Sequence, residues 1–294
     1  MGQINYSVII PTHNIPDLLQ RCLDSIPDRG DLQIIVVDDN SDPKIVDFDN
    51  YPGKERDNVR IIFTKEGKGA GYARNIGVSH AVGKWLVFAD SDDFFLDQVN
   101  AVLDKYVEDE SDIVFFDIDS VYSDSLEPSP RHLARSKTLN SLKGKKLDWY
   151  CRYKYTEPWG KIIKRDLVER NGIKFDETPV ANDYMFSIKT GHYAAKIKYD
   201  PTVLYCLTTR PGSLSFRKAD SESKVRTRLG VYDDVQRFLL KEDISYRPFS
   251  EFAFSTWLNH AEYRKIITGY CKEKDLSFFR VFLGYCVEKF KSFI

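Results

Sequence analysis

Short apolar segments rich in β-branched residues recur through the first part of the chain and are separated by amphipathic stretches. The segments that predict β-strands are Tyr6–Pro11, Leu32–Asp38, Val59–Thr64, Trp85–Ala89 and Ile113–Phe116. Between them, apolar residues at helical spacing predict helices over residues 18–26, 73–81 and 99–107. Strands that are apolar throughout and alternate with amphipathic helices are typical of an α/β fold, in which helices cover both faces of a mostly parallel sheet.

The alternating pattern weakens after these segments. Ser, Pro and charged residues dominate residues 122–146, where we expect a long loop with a hairpin. Helix and strand patterns return at residues 149–155, 167–171, 184–193 and 203–207, and the chain after residue 213 is predicted to be helical. We place a boundary near residue 216, which gives one domain over residues 1–215, with a second half over roughly residues 118–215, and a helical C-terminal region over residues 216–294.

Carboxylates follow two of the predicted strands. Asp38 and Asp39 end the second strand, and Asp90, Asp92 and Asp93 follow the fourth. Ligands of open α/β sheets bind outside the carboxyl ends of the strands, so these acids are expected at the ligand-binding edge. Alternate residues of an extended segment point the same way, and carboxylate oxygens suit Mg²⁺ or Mn²⁺, often together with substrate phosphates.

The alternative for this acidic segment is helix capping. Ser91 or Asp93 could cap the next helix, because acids and hydroxyls favour its first turn. Capping accounts for one acid after a buried strand but not for three. The function that we favour for this segment is therefore binding of a nucleoside diphosphate with its cation.

Two further segments lie at the same predicted edge. Pro11-Thr-His-Asn14 ends the first strand, where its polar side chains could bind a base or where Asn14 could cap the next helix. The segment of residues 67–75 contains three glycines that permit close backbone approach, and its Arg74 could bind a phosphate. The alternative for that segment is a flexible turn followed by a glycine, Gly77, that packs the helix.

Three other features each have a structural and a functional interpretation. Asp183 begins a predicted helix, where capping is the default role. Residues 131–146 contain six basic residues and no acid, which suits a solvated loop or the binding of a phosphate-bearing acceptor. The apolar stripe of the last predicted helix could pack against the body or, with its flanking lysines, contact a membrane surface; it comprises Phe279, Phe282, Leu283, Cys286, Phe290 and Phe293.

Composition narrows the class of protein only slightly. The net charge of −1 does not favour nucleic acid as a partner. The five cysteines are scattered without a C-x-x-C pair, which suits a reducing compartment and argues against a disulfide framework or a zinc site. Neither a signal peptide nor a membrane-spanning run is predicted, so we expect a cytoplasmic protein.

Eight motifs in a fixed order resemble a bacterial family 2 glycosyltransferase of the GT-A fold. They are Ser7-Val-Ile-Ile-Pro-Thr-His-Asn14, Ile35-Val-Val-Asp-Asp-Asn-Ser41, Gly69-Ala-Gly-Tyr-Ala-Arg-Asn75, Phe88-Ala-Asp-Ser-Asp-Asp93, Trp159-Gly-Lys161, Ile173-Lys-Phe175, Asn182-Asp-Tyr-Met-Phe186 and Arg210-Pro-Gly-Ser213. The resemblance spans roughly residues 5–215 and does not include the C-terminal region. It implies a nucleotide-sugar-binding and catalytic domain whose second half faces the acceptor.

The resemblance also implies roles for individual residues. The uracil and ribose of the donor would be bound by Pro11, Thr12, Asn14 and Asp39. Arg74 would approach the diphosphate, and Asp90, with Ser91 beside it, would bind the ribose or a metal-bound water. Asp92 would ligate the Mn²⁺ or Mg²⁺ ion that bridges the two phosphates.

On the acceptor side, the resemblance implies that Asp183 is the general base and that Trp159 forms a wall against the sugar. Arg210 and Ser213 would belong to a loop that closes on the donor. The sequence departs from the family pattern at Asn182, where Glu is usual, and at Gly67, where Asn is frequent. The first departure removes a charge that could tune Asp183, and the second removes a contact to the base.

We therefore expect an inverting, metal-dependent enzyme that moves a sugar from a nucleotide-sugar, most simply a UDP-sugar, to a hydroxyl of a glycan or lipid-linked glycan during bacterial surface polysaccharide synthesis. A nucleotidyltransferase is the rival enzyme class, but it needs a basic phosphate-binding loop after the first strand. Asn182 keeps a second rival open, a non-catalytic protein that binds sugar nucleotides. The oligomeric state, including a homo-oligomer, is left open by the sequence.

Overall fold

The computed structural model describes residues 2–210 and 221–291. The strands are β1 (Tyr6–Thr12), β2 (Leu32–Asp39), β3 (Val59–Thr64), β4 (Trp85–Phe88), β5 (Phe94–Phe95), β6 (Ile113–Tyr122), β7 (Lys161–Lys164) and β8 (Ile197–Thr209). The helices are α1 (Pro16–Asp24), α2 (Ala70–His80), α3 (Val99–Tyr106), α4 (Leu133–Ser141), α5 (Gly144–Tyr153), α6 (Arg165–Arg170), α7 (Tyr184–Tyr193), α8 (Glu222–Lys241), α9 (Pro248–Asn259), α10 (Arg264–Glu273) and α11 (Phe278–Lys291).

The strands form one sheet in the order β3-β2-β1-β4-β7-β6-β8-β5. Strands β3, β2, β1 and β4 run parallel to one another, and β6 is parallel to β8. Strand β7 is antiparallel to both β4 and β6, and β5 is antiparallel to β8. Every residue of β1 and of β4 is buried, as expected for strands that are covered on both faces. The predicted α/β fold is confirmed, and the predicted strands and helices of the first 120 residues are present.

The parallel half of the sheet places the candidate site at one edge. Thr12, the last residue of β1, pairs with Asp38 of β2, and Ile9 of β1 pairs with Phe88 at the end of β4. Since the three strands run in the same direction, the segments that follow them leave the sheet side by side. This register brings the acids after β2 and the acids after β4 to the same edge.

Residues 122–146 are more helical than the sequence predicts. A short 3₁₀ helix at Pro130–His132 leads into α4, and α5 begins at Gly144. The predicted long loop is therefore wrong for most of this segment. Helix α4 lacks a clear apolar face, since Leu139 is its one buried residue. Strand β7 was also not predicted, because a strand of four residues with a lysine at each end carries little periodicity.

The C-terminal helices build a core of their own and also pack on the sheet domain. Their core contains buried side chains of α8, α9, α10 and α11, among them Leu229, Phe249 and Ile267. A separate apolar cluster joins Tyr184 and Ile188 of α7 to residues of α8. The predicted boundary near residue 216 lies outside the described residues.

Helix α11 exposes part of its apolar stripe to solvent. Phe279 is 65% exposed and Phe290 is 68% exposed, whereas Val281 and Glu288 are buried. The interpretation that this stripe packs against the body is wrong for Phe279, Leu283 and Phe290, whereas Phe282 contacts Phe254 of α9, and Phe293 lies outside the described residues. The reason is Gly284: a Cβ atom there would overlap the Ser250 side chain of α9, so close approach at this glycine fixes which face turns inward.

No helix in residues 2–210 and 221–291 is both long and apolar enough to cross a lipid bilayer.

Gly77 fixes the distance between α2 and the sheet. A Cβ atom at this position would overlap Cγ2 of Ile9, a fully buried residue of β1. We expect Gly77→Ala to lower the free energy of unfolding by about 1–3 kcal/mol, because overpacking forces the helix or Ile9 to move. Gly269→Ala is the matched control. This glycine is also in a helix, but a Cβ atom added there would have no neighbouring atom within 4 Å. Chemical denaturation of both variants measures the difference, and an unchanged Gly77→Ala variant would contradict this packing.

Candidate active site

A cavity of about 640 Å³ opens at the carboxyl edge of the parallel strands. Its wall combines the segments after β1, β2 and β4, the start of α2, the loop before α7, and the segment after β8. It brings together most of the predicted site residues: Pro11, Thr12, Asp39, Arg74, Asp90, Ser91, Asp92, Asp183 and Arg210. The edge of the sheet therefore forms one concave, polar site.

Three predicted residues are not part of this wall. Asn14 supports the wall from behind: its backbone N–H donates to Ser41 Oγ at 2.8 Å, and its side-chain oxygen accepts from Asp42 N at 2.7 Å. Trp159 is only 5% exposed and stacks on Tyr205 in the core, because it precedes the buried strand β7. Ser213 lies outside the described residues.

Asp39 holds the glycine segment in place. Its carboxylate accepts hydrogen bonds from the backbone of Gly69 at 2.6 Å and of Lys68 at 3.2 Å. Gly69 has a φ of 91°, which favours glycine, so the turn presents both N–H groups to one carboxylate. The neighbouring Asp38 is buried and accepts from the Tyr51 hydroxyl, so it serves the fold rather than the cavity.

The three acids after β4 have three different environments. Asp90 forms an ion pair with Arg74 at 2.6 Å, and Asp92 lies 3.4 Å from the Arg210 guanidinium. Asp93 points into the protein and accepts from the backbone N–H of Thr208 at 2.7 Å. The acidic segment thus contains one acid paired with Arg74, one acid near Arg210 and one acid bonded to the backbone of β8.

Burial and crowding make two of these acids harder to ionise. Burial, followed by the neighbouring Asp90 carboxylate, raises the pKa of Asp92, and Arg210 partly opposes this effect. Burial and the two neighbouring acids raise the pKa of Asp93 well above its ordinary value. A cation bound near Asp92 would compensate its negative charge and favour the ionised carboxylate.

Arg74 joins three parts of the site. From the first turns of α2 its guanidinium donates to Asp90 at 2.6 Å and to the Asn182 side-chain oxygen at 2.9 Å. The Arg74 side chain is only 6% exposed, so its contacts within the protein leave little of it for a ligand. Asn182, where the family pattern has Glu, is therefore a neutral acceptor for this arginine.

Gly71 lets α2 lie against the loop that carries Asn182. A Cβ atom at Gly71 would overlap the backbone oxygen of Asp176 and approach the Asn182 side chain. The first glycines of this segment shape a turn, and this one permits close packing.

Asp183 stands at the N-terminal end of α7 but its side chain does not cap the helix. Burial raises the pKa of Asp183 to about 6, Arg74 lowers it, and Glu157 and Asp90 raise it. A carboxylate that lines a cavity and titrates near neutral pH is a suitable proton acceptor. Capping, the default interpretation of this position, is excluded by the geometry.

Several cavity residues were not predicted as site residues. His13 and residues 179–181 adjoin predicted positions in the chain. Arg131 comes from the basic segment, for which a functional interpretation was left open, and its Nη1 donates to the backbone oxygen of Thr208 at 2.9 Å. Arg228 belongs to α8, in the C-terminal region, where no motif could have indicated it.

The donor atoms around Asp92 suit a hard divalent cation in part. They are carboxylate oxygens, which Mg²⁺ and Mn²⁺ prefer. The described ranges contain no group of three or more His, Cys, Asp or Glu side chains that could hold a metal ion. An ion at Asp92 would therefore need its remaining ligands from a bound phosphate and water.

Comparison with known proteins defines the class. The sequence model described as Glycosyl transferase family 2 matches residues 7–172, more than half of the chain, so the chain belongs to this family. The Bacillus subtilis glycosyltransferase EpsJ is 27% identical over 222 residues, which cover 71% of this chain and 62% of that relative. Over 93 residues the chain is 38% identical to a poly(ribitol-phosphate) beta-glucosyltransferase of Bacillus spizizenii, covering 30% of this chain and 15% of that protein.

Solved structures of glycosyltransferases share the fold. The structure of S. aureus TarS in complex with UDP-GlcNAc matches with a TM-score of 0.63 at 20% identity. The match covers 92% of this chain and 80% of the TarS chain. The structure of the mannosyltransferase PcManGT from Pyrobaculum calidifontis, in complex with GDP-Man and Mn²⁺, matches with a TM-score of 0.51 at 20% identity. That match covers 78% of this chain and 62% of the PcManGT chain. The fold is that of the GT-A glycosyltransferases. The chain spans about three fifths of the length of EpsJ.

The Arg74 ion pair is expected to contribute to stability. Arg74→Met should lower the free energy of unfolding by about 2–4 kcal/mol, because it leaves Asp90 and the Asn182 oxygen without their shared donor in a partly buried site. Arg226→Met is the matched control, since its ion pair with Glu273 is on the surface and should contribute little. Urea denaturation compares the two variants, and equal small effects would contradict a structural role for Arg74.

Proposed function

We propose that this protein is an inverting, metal-dependent glycosyltransferase that moves a hexosyl or N-acetylhexosaminyl group from a UDP-sugar to a hydroxyl of a glycan or lipid-linked glycan. The observation that carries the proposal is the position of Asp183, a carboxylate with a pKa of about 6, in the same cavity as Asp92. One acid can then accept a proton while the other lies at the donor phosphates. Family membership supports the transfer of a sugar.

The donor nucleotide is proposed to bind at the β1 and β2 side of the cavity. Pro11, Thr12 and Asp39 line that side, and the Asp39 carboxylate already orders the glycine segment beside it. The fold shared with TarS, whose structure contains UDP-GlcNAc, supports a uridine nucleotide. Asp90 and Ser91 line the same cavity and are proposed to contact the ribose and the first phosphate.

Asp92 would hold Mn²⁺ or Mg²⁺ with the two phosphates of the donor. When bound, the ion would stabilise the negative charge that gathers on the departing nucleoside diphosphate. The presence of Mn²⁺ in the PcManGT structure supports this assignment. Arg210, 3.4 Å from Asp92, is close enough to contact the same phosphates.

Asp183 is proposed to accept the proton of the acceptor hydroxyl. As the acceptor oxygen forms its bond to the anomeric carbon, the bond from that carbon to the phosphate oxygen breaks and the proton passes to Asp183. Attack from the side opposite to the leaving group inverts the anomeric centre. With a pKa of about 6, the carboxylate is mostly ionised at neutral pH and still close enough in basicity to accept a proton.

The biological setting is proposed to be the assembly of a surface polysaccharide at the cytoplasmic face of a bacterial membrane. The similarity to a protein named poly(ribitol-phosphate) beta-glucosyltransferase supports an acceptor that belongs to the cell surface. The acceptor itself would enter on the side of Asp183. This side lies next to the C-terminal helices, because the neighbouring residue Tyr184 packs against α8.

Replacement of the proposed base tests the reaction. Asp183→Asn should lower the rate of sugar transfer by about 10²–10⁴-fold, because the amide cannot accept the proton, while UDP binding is retained. Release of UDP from a panel of UDP-sugars with Mn²⁺ measures the rate, and calorimetry measures UDP binding. Asp176→Asn is the matched control, because this nearby acid does not line the cavity. A wild-type protein that neither transfers nor hydrolyses any donor of the panel would contradict the proposal.

The pH dependence of the rate should follow Asp183. Protonation removes the base, so we expect the rate to fall about tenfold per pH unit below a pH of about 6. Asn182→Asp adds a negative charge beside Asp183 and should move this acid limb to higher pH, because a like charge disfavours the ionised form. Asn100→Asp, on the exposed side of α3, is the control. An acid limb that the Asn182 substitution leaves in place would contradict the assignment of the limb to Asp183.

A further inference from the structure

A second cavity of about 320 Å³ lies between the sheet domain and the C-terminal helices. Lys154 and Tyr184 contribute to its wall from the sheet domain, and Tyr232, Glu251 and Phe252 contribute from α8 and α9. The match to the family ends at residue 172, so much of this cavity is built by helices that the family model does not include. Most of its wall therefore lies outside the part of the chain that the family model matches.

The second cavity adjoins the proposed active site at two points. Asp183 lines the first cavity and the next residue, Tyr184, lines the second. On α8, Arg228 lines the first cavity and Tyr232 lines the second, and residues four apart on a helix are neighbours about 6 Å apart. The two cavities thus share a border formed by Asp183 and one turn of α8.

Aromatic rings lead from this border into the second cavity. The rings of Tyr184 and Tyr232 have centroids 4.5 Å apart, and Tyr232 stacks on Phe252 at 4.5 Å with an angle of 26°. Tyr184 is buried, whereas Tyr232 and Phe252 are partly exposed to the cavity. Partly exposed rings offer apolar surface next to polar groups, as the C–H faces and hydroxyls of a sugar require.

Polar groups in the same wall have fixed positions. The Glu251 carboxylate accepts from Lys154 Nζ at 2.6 Å and from the Tyr246 hydroxyl at 3.4 Å. Lys154 also lies over the Tyr246 ring, 4.3 Å from its centroid. The Glu251 side chain is still 34% exposed, so oxygen atoms of this anchored carboxylate remain available to hydroxyl groups.

We propose that the second cavity binds a sugar unit of the acceptor glycan, next to the unit whose hydroxyl is presented to Asp183. The proposal rests on the proposed function, since it takes Asp183 as the base. Phe252 and Tyr232 form the apolar surface for the sugar ring, and Glu251 accepts hydrogen bonds from its hydroxyls. The cavity therefore selects acceptors of at least two sugar units.

Binding of free disaccharides tests this subsite. Saturation-transfer NMR would measure lactose, cellobiose, maltose and N,N′-diacetylchitobiose with the full chain in the presence of UDP and Mg²⁺. We expect the wild type to bind at least one of them, and Phe252→Ala and Glu251→Gln to weaken that binding about fivefold or more. Phe279→Ala is the matched control, because that phenylalanine is exposed on α11 and does not line the cavity.

The outcomes separate this proposal from the proposed function. Calorimetry should show unchanged UDP binding in all variants, and a wild type without UDP binding would contradict the donor site instead. A wild type that binds none of the four disaccharides, or variants that bind them as the wild type does, would overturn the subsite. Glu251→Gln preserves the shape of its side chain, so it decides the question even if Phe252→Ala does not fold.

Discussion

The site depends on one buried guanidinium group. Arg74 donates to Asp90 after β4 and to Asn182 before α7, so a single side chain of α2 links these two segments of the cavity wall. Gly71 and Gly77 permit this arrangement because they let α2 approach the loop at Asp176 and the strand β1. Its positive charge also lowers the pKa of Asp183, which burial raises. Structure and acid–base chemistry therefore depend on the same residue.

The acids at the sheet edge differ in how far the protein pairs and buries them. Asp39 and Asp90 are each engaged by protein donors, Asp93 is enclosed, and Asp92 keeps a side chain toward the cavity. Removal of solvent has opposite consequences for such groups, because it strengthens a paired charge and penalises an unpaired one. The acids that are proposed to act in the reaction are those that the protein leaves incompletely paired.

The C-terminal helices extend the site beyond the part of the chain that matches the family. Arg228 reaches the first cavity from α8, and Tyr232, one turn later, lines the second. The apolar cluster that joins α7 to α8 holds these residues against Asp183 and Tyr184. In this interpretation, the sheet domain supplies the donor site and the base, and the C-terminal helices supply selectivity for the acceptor.

The sequence determined the strands β1 to β4 and β6, the edge at which the acids meet and the residues of the ordered motifs, because periodicity and position after a buried strand are local properties. Asp92 could be placed at the site in this way, whereas Asp183 was indicated only by the resemblance to the family. Only the tertiary structure decided that Arg74 bonds to the protein, that Trp159 is buried and that Arg228 enters the cavity. The outward face of α11 was likewise decided by close packing at Gly284. Such outcomes depend on contacts between segments far apart in the chain, which no local pattern records.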